Sequence, residues 1–259
     1  AERKKTLLTF PVESMALLTD GKEVIDWDYK DFAAEMWSEG HSFFMYLSDN
    51  ADSLASCCRL RNELQDNTFS FTLGAGGVST GSKGVITINI NRLVQNAVRD
   101  GVDISDAVRD QVERVHKYLL AFNEIMKDNF EAKLLPIYDA GFISLEKQFL
   151  TIGVNGFVEG AEFLGIPITP NEQYFEYCEK ILKPIYELNK TARTDEVMFN
   201  TEFVPAENLG VKNAKWDKED GYFVPRDCYN SYFYIVEDET TNLVDKFILH
   251  GKKLTKYLD

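Results

Sequence analysis

The sequence predicts an α/β fold, layered or barrel-like, and three observations carry that expectation. A run rich in β-branched residues, Val85-Ile86-Thr87-Ile88-Asn89-Ile90, reads as a strand. Val108, Val112, Val115, Leu119, Phe122, Met126 and Phe130 recur at steps of three and four, which puts them on one face of a helix. Short strand-like and amphipathic helix-like segments then alternate through the rest of the 259 residues. With 44% hydrophobic residues the chain has the material for a sizeable core. It carries no repeat, low-complexity tract or flexible linker, so residues 1–259 are expected to form a single domain.

The elements follow in order. Leu7 to Val12 is a short strand closed by proline. Asp28 to Gly40 is a helix stopped by glycine, and His41 to Leu47, apolar and aromatic, is a buried strand. Residues 63–68 form a loop, followed by the glycines Gly74, Gly76, Gly77 and Gly81, which allow tight turning. The strand Val85 to Ile90 precedes the long helix Asp106 to Leu134, ended by Pro136. Phe149 to Gly156 is a strand, and Val158 to Leu164 a short helix closed by Gly165 and Pro167. Asn171 to Leu188 is an amphipathic helix, and Thr201 to Val204 a short strand that runs into the turn Pro205 to Gly210. An aromatic strand, Tyr229 to Tyr234, and a helix over Asn242 to Tyr257 complete the chain.

The net charge of −14 and a sequence pI near 4.7 repel a polyanionic strand, so DNA or RNA binding is disfavoured. A single nucleotide is compatible, because a local cluster of cations and helix-start amides suffices to hold it. No segment has the apolar length of a membrane span, and Ala1-Glu2-Arg3-Lys4-Lys5 lacks the core of a signal peptide. The absence of an initiator Met suggests a processed or excised piece. The four cysteines, Cys57, Cys58, Cys178 and Cys228, have no scaffold-like spacing and suit a reducing cytoplasm. Adjacent Cys57 and Cys58 cannot easily pair with each other and lack the spacing of a metal site. They are either packed thiols or one thiol presented for chemistry. Cys178, in a helix, and Cys228, in an aromatic loop, read as structural.

Several blocks carry a resemblance. They are Ser56-Cys57-Cys58-Arg59-Leu60, Gly81-Ser82-Lys83-Gly84-Val85-Ile86-Thr87-Ile88-Asn89, Gln148 to Gly156, and Phe203-Val204-Pro205-Ala206-Glu207-Asn208-Leu209-Gly210-Val211-Lys212. The tail Tyr229 to Tyr234 belongs with them. In order and spacing the chain resembles the anaerobic, glycyl-radical (class III) ribonucleotide reductases, the phage-type large subunit in particular. The resemblance extends over nearly the whole sequence.

It implies part of a ten-stranded α/β barrel with a central finger loop, the loop falling at about residues 53–91 and later barrel elements at 92–259. It also implies that a fingertip cysteine, Cys57 or Cys58, becomes a thiyl radical that takes the ribose 3′-hydrogen. A thiol in this role must be held close to that hydrogen and kept dry. Glu207 is the candidate proton donor or relay for loss of the 2′-hydroxyl as water. Ala206, Asn208, Leu209 and Gly210, at a helix start, and Lys212 are the candidate substrate-binding residues, with free amides for the phosphates. Lys83, Arg92 and Lys215 read as solvated surface cations, and His41, His116 and His250 as structural or surface residues.

By the same resemblance the chain itself holds no metal. The radical glycine and a four-cysteine zinc site are expected on a C-terminal segment outside it, and effector-binding parts on an N-terminal one. The reductant would be formate or a dithiol protein. The partners would be a ribonucleoside triphosphate, the missing reductase segments and a radical-SAM activating enzyme, with a homodimer for the complete enzyme. Two competing readings are a silent structural or assembly fragment and a glycyl-radical enzyme of the formate acetyltransferase type. The Val204 to Asn208 block weighs against the latter.

Overall fold

The structure is a computed structural model. It describes residues 13–39, 41, 43–49, 53–55, 61–63, 81–141, 143–203, 207–235, 238 and 241–258. The chain divides into two compact units, residues 1–81 with 140–147, and residues 82–139 with 148–259.

In the first unit, strand β1 (Glu13–Leu18) pairs in parallel with β2 (Phe43–Ser48), from Glu13↔Phe43 to Leu18↔Ser48. A parallel pair needs a crossover, and helix α1 (Trp27–Ser38) supplies it. Asp26 caps α1, its carboxylate accepting the Tyr29 amide at 2.9 Å. The expected buried strand His41 to Leu47 is a strand shifted by a residue or two, and Leu47 is 64% exposed. Among the described residues β2 has β1 as its one sheet neighbour, which leaves the strand little cover. Strands β3 (Ser53–Ala55) and β4 (Arg61–Glu63) form an antiparallel pair with Ala55 opposite Arg61. The predicted strand Leu7 to Val12, the glycine run at 74–77, and Cys57 and Cys58 lie outside the described residues.

The second unit is built on a parallel sheet in the order β5-β6-β7, comprising β5 (Ser82–Asn89), β6 (Phe149–Asn155) and β7 (Met198–Glu202). Central β6 is buried on both faces from Leu150 to Asn155, as parallel strands under helices are. Helices α2 (Ile90–Asp100), α3 (Ile104–Glu131), α5 (Phe157–Phe163) and α6 (Glu172–Ala192) surround it. α3 packs on α6 and on β5 and β6, α6 on β7, and α2 on α5. Val108, Val112, Val115 and Leu119 of α3 join Leu150, Ile152 and Val154 of β6 in one core with Ile181, Leu182 and Ile185 of α6.

Several further sequence expectations change. Helix α2 was not anticipated, since Ile90 reads equally well as the end of a strand. Its signals are Asn89, which caps it through the Arg92 amide at 3.1 Å, and Gly101, which closes it in the left-handed region. The apolar stripe of α3 is buried only as far as Leu119, and Phe122 is 38% exposed. α3 ends at Glu131, before Pro136, which instead opens a short helix α4 (Pro136–Asp139). Tyr229 to Tyr234 forms no strand. Its backbone bonds go to a helix and a turn, Tyr229 N–H to Gly210 O at 3.3 Å and Asn230 O from the Gly156 amide at 3.0 Å. The last helix is two, α8 (Leu243–Leu249) and α9 (Lys252–Thr255), parted at Gly251, where a Cβ would stand 2.9 Å from the Ile248 carbonyl oxygen.

Candidate active site

The two faces of the β5-β6-β7 sheet differ in chemistry. Because side chains alternate along a strand, residues in register share a face. One face carries Ile86 and Ile88, Leu150, Ile152 and Val154, and Phe199. The other carries Val85, Thr87 and Asn89, Thr151, Gly153 and Asn155, and Asn200 and Glu202. On this second face the Thr151 hydroxyl donates to Asn200 Oδ1 at 2.6 Å and lies 2.7 Å from the Ser82 hydroxyl. Asn200 Nδ2 donates to Glu202 at 2.9 Å. Thr151, Asn155 and Asn200 are buried, and polar side chains taken out of water need such partners.

At the C-terminal edge of this sheet, where parallel α/β sheets hold ligands, lies helix α7 (Glu207–Glu219). Gly210, Asn213, Ala214 and Asp217, spaced as one helix face, are its buried side. Asp217 is fully buried. Its carboxylate accepts Arg92 Nε at 2.6 Å, the Tyr229 hydroxyl at 2.8 Å and Asn89 Nδ2 at 3.0 and 3.1 Å. Asn91 Nδ2 lies 3.2 Å from it and donates to the Tyr229 oxygen at 2.7 Å. One turn earlier, Asn213 donates to Asn155 Oδ1 at 2.8 Å, and Asn155 Nδ2 reaches the Tyr229 carbonyl at 3.2 Å and Ser231 Oγ at 3.1 Å. Burial works against the Arg92 charge, but Asp217 and Asp220, the latter 2.7 Å away, outweigh it and raise its pKa. Burial, with help from the Asp217 charge, holds the Tyr229 hydroxyl far above its ordinary value, so it stays a donor.

A second buried carboxylate sits beside the same segment. Glu159 of α5 accepts Arg226 at 2.6 Å and the backbone and side-chain nitrogens of Asn230, each at 3.0 Å. Burial pushes the Glu159 carboxyl up, opposed by Asn230 and Arg226. Arg226 also pairs with Glu162 at 2.8 Å. The 226–231 loop is therefore pinned from both sides, by Glu159 and by the Asp217 cluster.

A family model for anaerobic ribonucleoside-triphosphate reductase matches residues 1–258. The chain belongs to that family. Among solved structures, the anaerobic ribonucleotide reductase from Thermotoga maritima in complex with dATP and CTP is 27% identical with a TM-score of 0.77, over 99% of this chain and 43% of its own. The same enzyme with citrate in the active site is 27% identical with a TM-score of 0.76, over 100% and 47%. A further anaerobic ribonucleotide reductase is 25% identical with a TM-score of 0.75, over 95% and 39%. The chain thus spans less than half the length of these reductases. Comparison with curated proteins found no match. The fold is a mixed α/β fold similar to that of the anaerobic reductases.

Of the residues expected to serve a reductase, Cys57 and Cys58 fall in sequence between β3 and β4 but lie outside the described residues, as does Ala206. Glu207 begins α7, and its side chain lies outside the described residues too. Asn208 and Lys212 are exposed on α7, Leu209 is half-buried and Gly210 buried. Arg92 is not the solvated surface cation expected. Its side chain is 32% exposed and is held by two aspartates. Lys215 is exposed, with Glu219 at 3.8 Å. His116 is buried against Asn189 at 2.8 Å, a structural role, and burial pushes the Cys178 thiol up, which keeps it inert. Among the described residues no three His, Cys, Asp or Glu side chains are grouped so as to hold a metal ion. None of their helices is long and apolar enough to cross a membrane.

Sequence reasoning missed Asn89, Asn91, Asn155, Asn213, Asp217 and Tyr229. The available signal was asparagine at the ends of the two strands, Asn89 after Ile88 and Asn155 after Val154, since asparagine is depleted from strands.

Proposed function

We propose that this chain is the catalytic-barrel part of a cytoplasmic anaerobic ribonucleotide reductase, which converts ribonucleoside triphosphates to deoxyribonucleotides by thiyl-radical chemistry. The observation that carries the reading is the antiparallel pairing of Ala55 with Arg61, which brackets Cys57 and Cys58 in a chain of this family. A hairpin with cysteines between its strands is what a finger loop requires. The sheet β5-β6-β7 supports the barrel reading, because its apolar face meets helices while its polar face suits a barrel interior.

In this reading Cys57 or Cys58, as a thiyl, takes the 3′-hydrogen atom of the ribose and becomes a thiol. Glu207 delivers a proton to the departing 2′-hydroxyl, which leaves as water. The start of α7, Glu207 to Gly210, would offer free amides to the substrate phosphates, with Ala206 just before it in the sequence and Lys212 adding a positive charge. A triphosphate is the substrate class by analogy with the Thermotoga maritima enzyme crystallised with CTP. The radical glycine and the four-cysteine zinc site are assigned to segments outside these 259 residues. The glycine would supply the radical that oxidises the cysteine. Formate or a dithiol protein would supply the reducing equivalents, a radical-SAM enzyme would activate the assembly, and the complete enzyme would be a homodimer.

The test is anaerobic conversion of labelled CTP by the intact, activated enzyme carrying Cys57→Ser or Cys58→Ser. One of the two variants should form no deoxycytidine nucleotide. Wild-type turnover in both would remove the cysteine pair from the chemistry and end the proposal.

A further inference from the structure

The proposed phosphate-holding turn opens a helix whose far end is anchored by a buried charge, and that arrangement has a use. Asp217 lies ten positions after Glu207 in the sequence, which at 1.5 Å per residue is about 15 Å along the axis. Over that distance it acts on the first turn only through the helix between them. What it does contact is the C-terminal end of β5 and the chain just beyond, through Asn89, Asn91 and Arg92, and the 226–231 loop through the Tyr229 hydroxyl. Asn213 ties the middle of the same helix face to Asn155 at the end of β6. Gly210 brings the first part of the helix onto the Tyr229 backbone, whose amide it receives at 3.3 Å.

These contacts are directional. An apolar helix face tolerates rotation and sliding by a fraction of an ångström, because dispersion contacts re-form with new neighbours. A carboxylate accepting a guanidinium, a phenol and an amide at 2.6–3.1 Å does not. The fixed points also come from two strand ends and one loop, so they set both the rotation and the height of α7 against the sheet.

We propose that Asp217 is a positioning residue for substrate binding. Through the Asn89, Arg92 and Tyr229 contacts it fixes α7 so that the helix's first-turn amides meet the substrate phosphates. The inference rests on the reading of residues 206–212 as the phosphate-holding turn.

Asp217→Asn keeps the size of the side chain and removes its charge. In the intact enzyme it should raise KM for CTP roughly tenfold, with a smaller loss in kcat, since displacements near 1 Å suffice for changes of this size. Tyr229→Phe, which removes one donor, should shift KM in the same direction by less. A purely structural role would lower the melting temperature and leave the KM of the folded enzyme unchanged, and that result overturns the proposal. Should Asp217→Asn fail to fold, Tyr229→Phe alone decides, with an unchanged KM again negative. The double variant Asn208→Ala/Lys212→Ala separates the two levels. A raised KM there with a normal one in Asp217→Asn and Tyr229→Phe rejects the positioning role and leaves the turn standing. A normal KM in the double variant removes only the Asn208 and Lys212 side chains from binding, and the positioning role then stands or falls on Asp217→Asn and Tyr229→Phe.

Discussion

A Cβ on Gly210 would stand 2.7 Å from the carbonyl oxygen of Tyr229 and 3.0 Å from Cys228 Sγ. Glycine at this position lets α7 lie directly on the backbone of the 226–231 loop. The loop has little room to retreat, because the Tyr229 side chain is held by Asp217 and Asn91 and the Asn230 nitrogens by Glu159. Gly210→Ala should therefore destabilise the chain by about 1–3 kcal/mol, the usual cost of overpacking. Urea unfolding would register this as a lower midpoint with an unchanged slope.

Glu207 is predicted to act in proton transfer and not in binding. Glu207→Gln in the intact enzyme should abolish turnover while labelled CTP still binds with wild-type affinity, measured by equilibrium dialysis. Near-normal turnover would take Glu207 out of the mechanism.

Gly156 and Gly101 both sit in the left-handed region, at φ +75° and +67°. Nothing lies within 4 Å of the place a methyl group on Gly101 would occupy, so Gly101→Ala should cost only the dihedral strain, about 1–2 kcal/mol. A methyl on Gly156 would also meet the Tyr229 ring at 3.1 Å and Asn89 Oδ1 at 3.3 Å, inside the polar cluster. Gly156→Ala should be the more damaging of the two, and paired denaturation curves would show whether the order is reversed.

Burial lowers the pKa of His116 below its ordinary value of 6.5, against the pull of Asn189 and Glu113. Below pH 6.5 the unfolded chain then binds the proton more readily than the folded one. The stabilisation linked to His116 is complete above that value and is lost as pH falls from it through the lowered folded pKa. The wild type should lose more stability between pH 7.5 and 5.5 than His116→Gln does. Parallel losses in the two proteins would show that His116 does not contribute.

The strands β5 and β6, the long helix α3 and its apolar stripe as far as Leu119, and the resemblance of the quoted blocks to the reductases were all legible in the chain. Local patterns suffice for these, because periodicity and capping act over a few residues. The polar cluster was not legible. Asn89 and Asp217 are 128 positions apart, and neither sits in a motif that announces the other. Tyr229 to Tyr234 shows the limit from the opposite side, since its aromatic pattern suits a strand, yet its backbone partners lie at Gly156 and Gly210.

By itself, then, the sequence determined the α/β class, the membership in a reductase family, and which residues could be candidates for radical and proton chemistry. Only the tertiary structure decided that Arg92 is a half-buried ion-pair partner and not a surface cation, and that α7 is held to the sheet by Asp217. The physical reason is that a charge's role depends on the water it has lost and the partners it has gained. Both are set by segments far away in the chain.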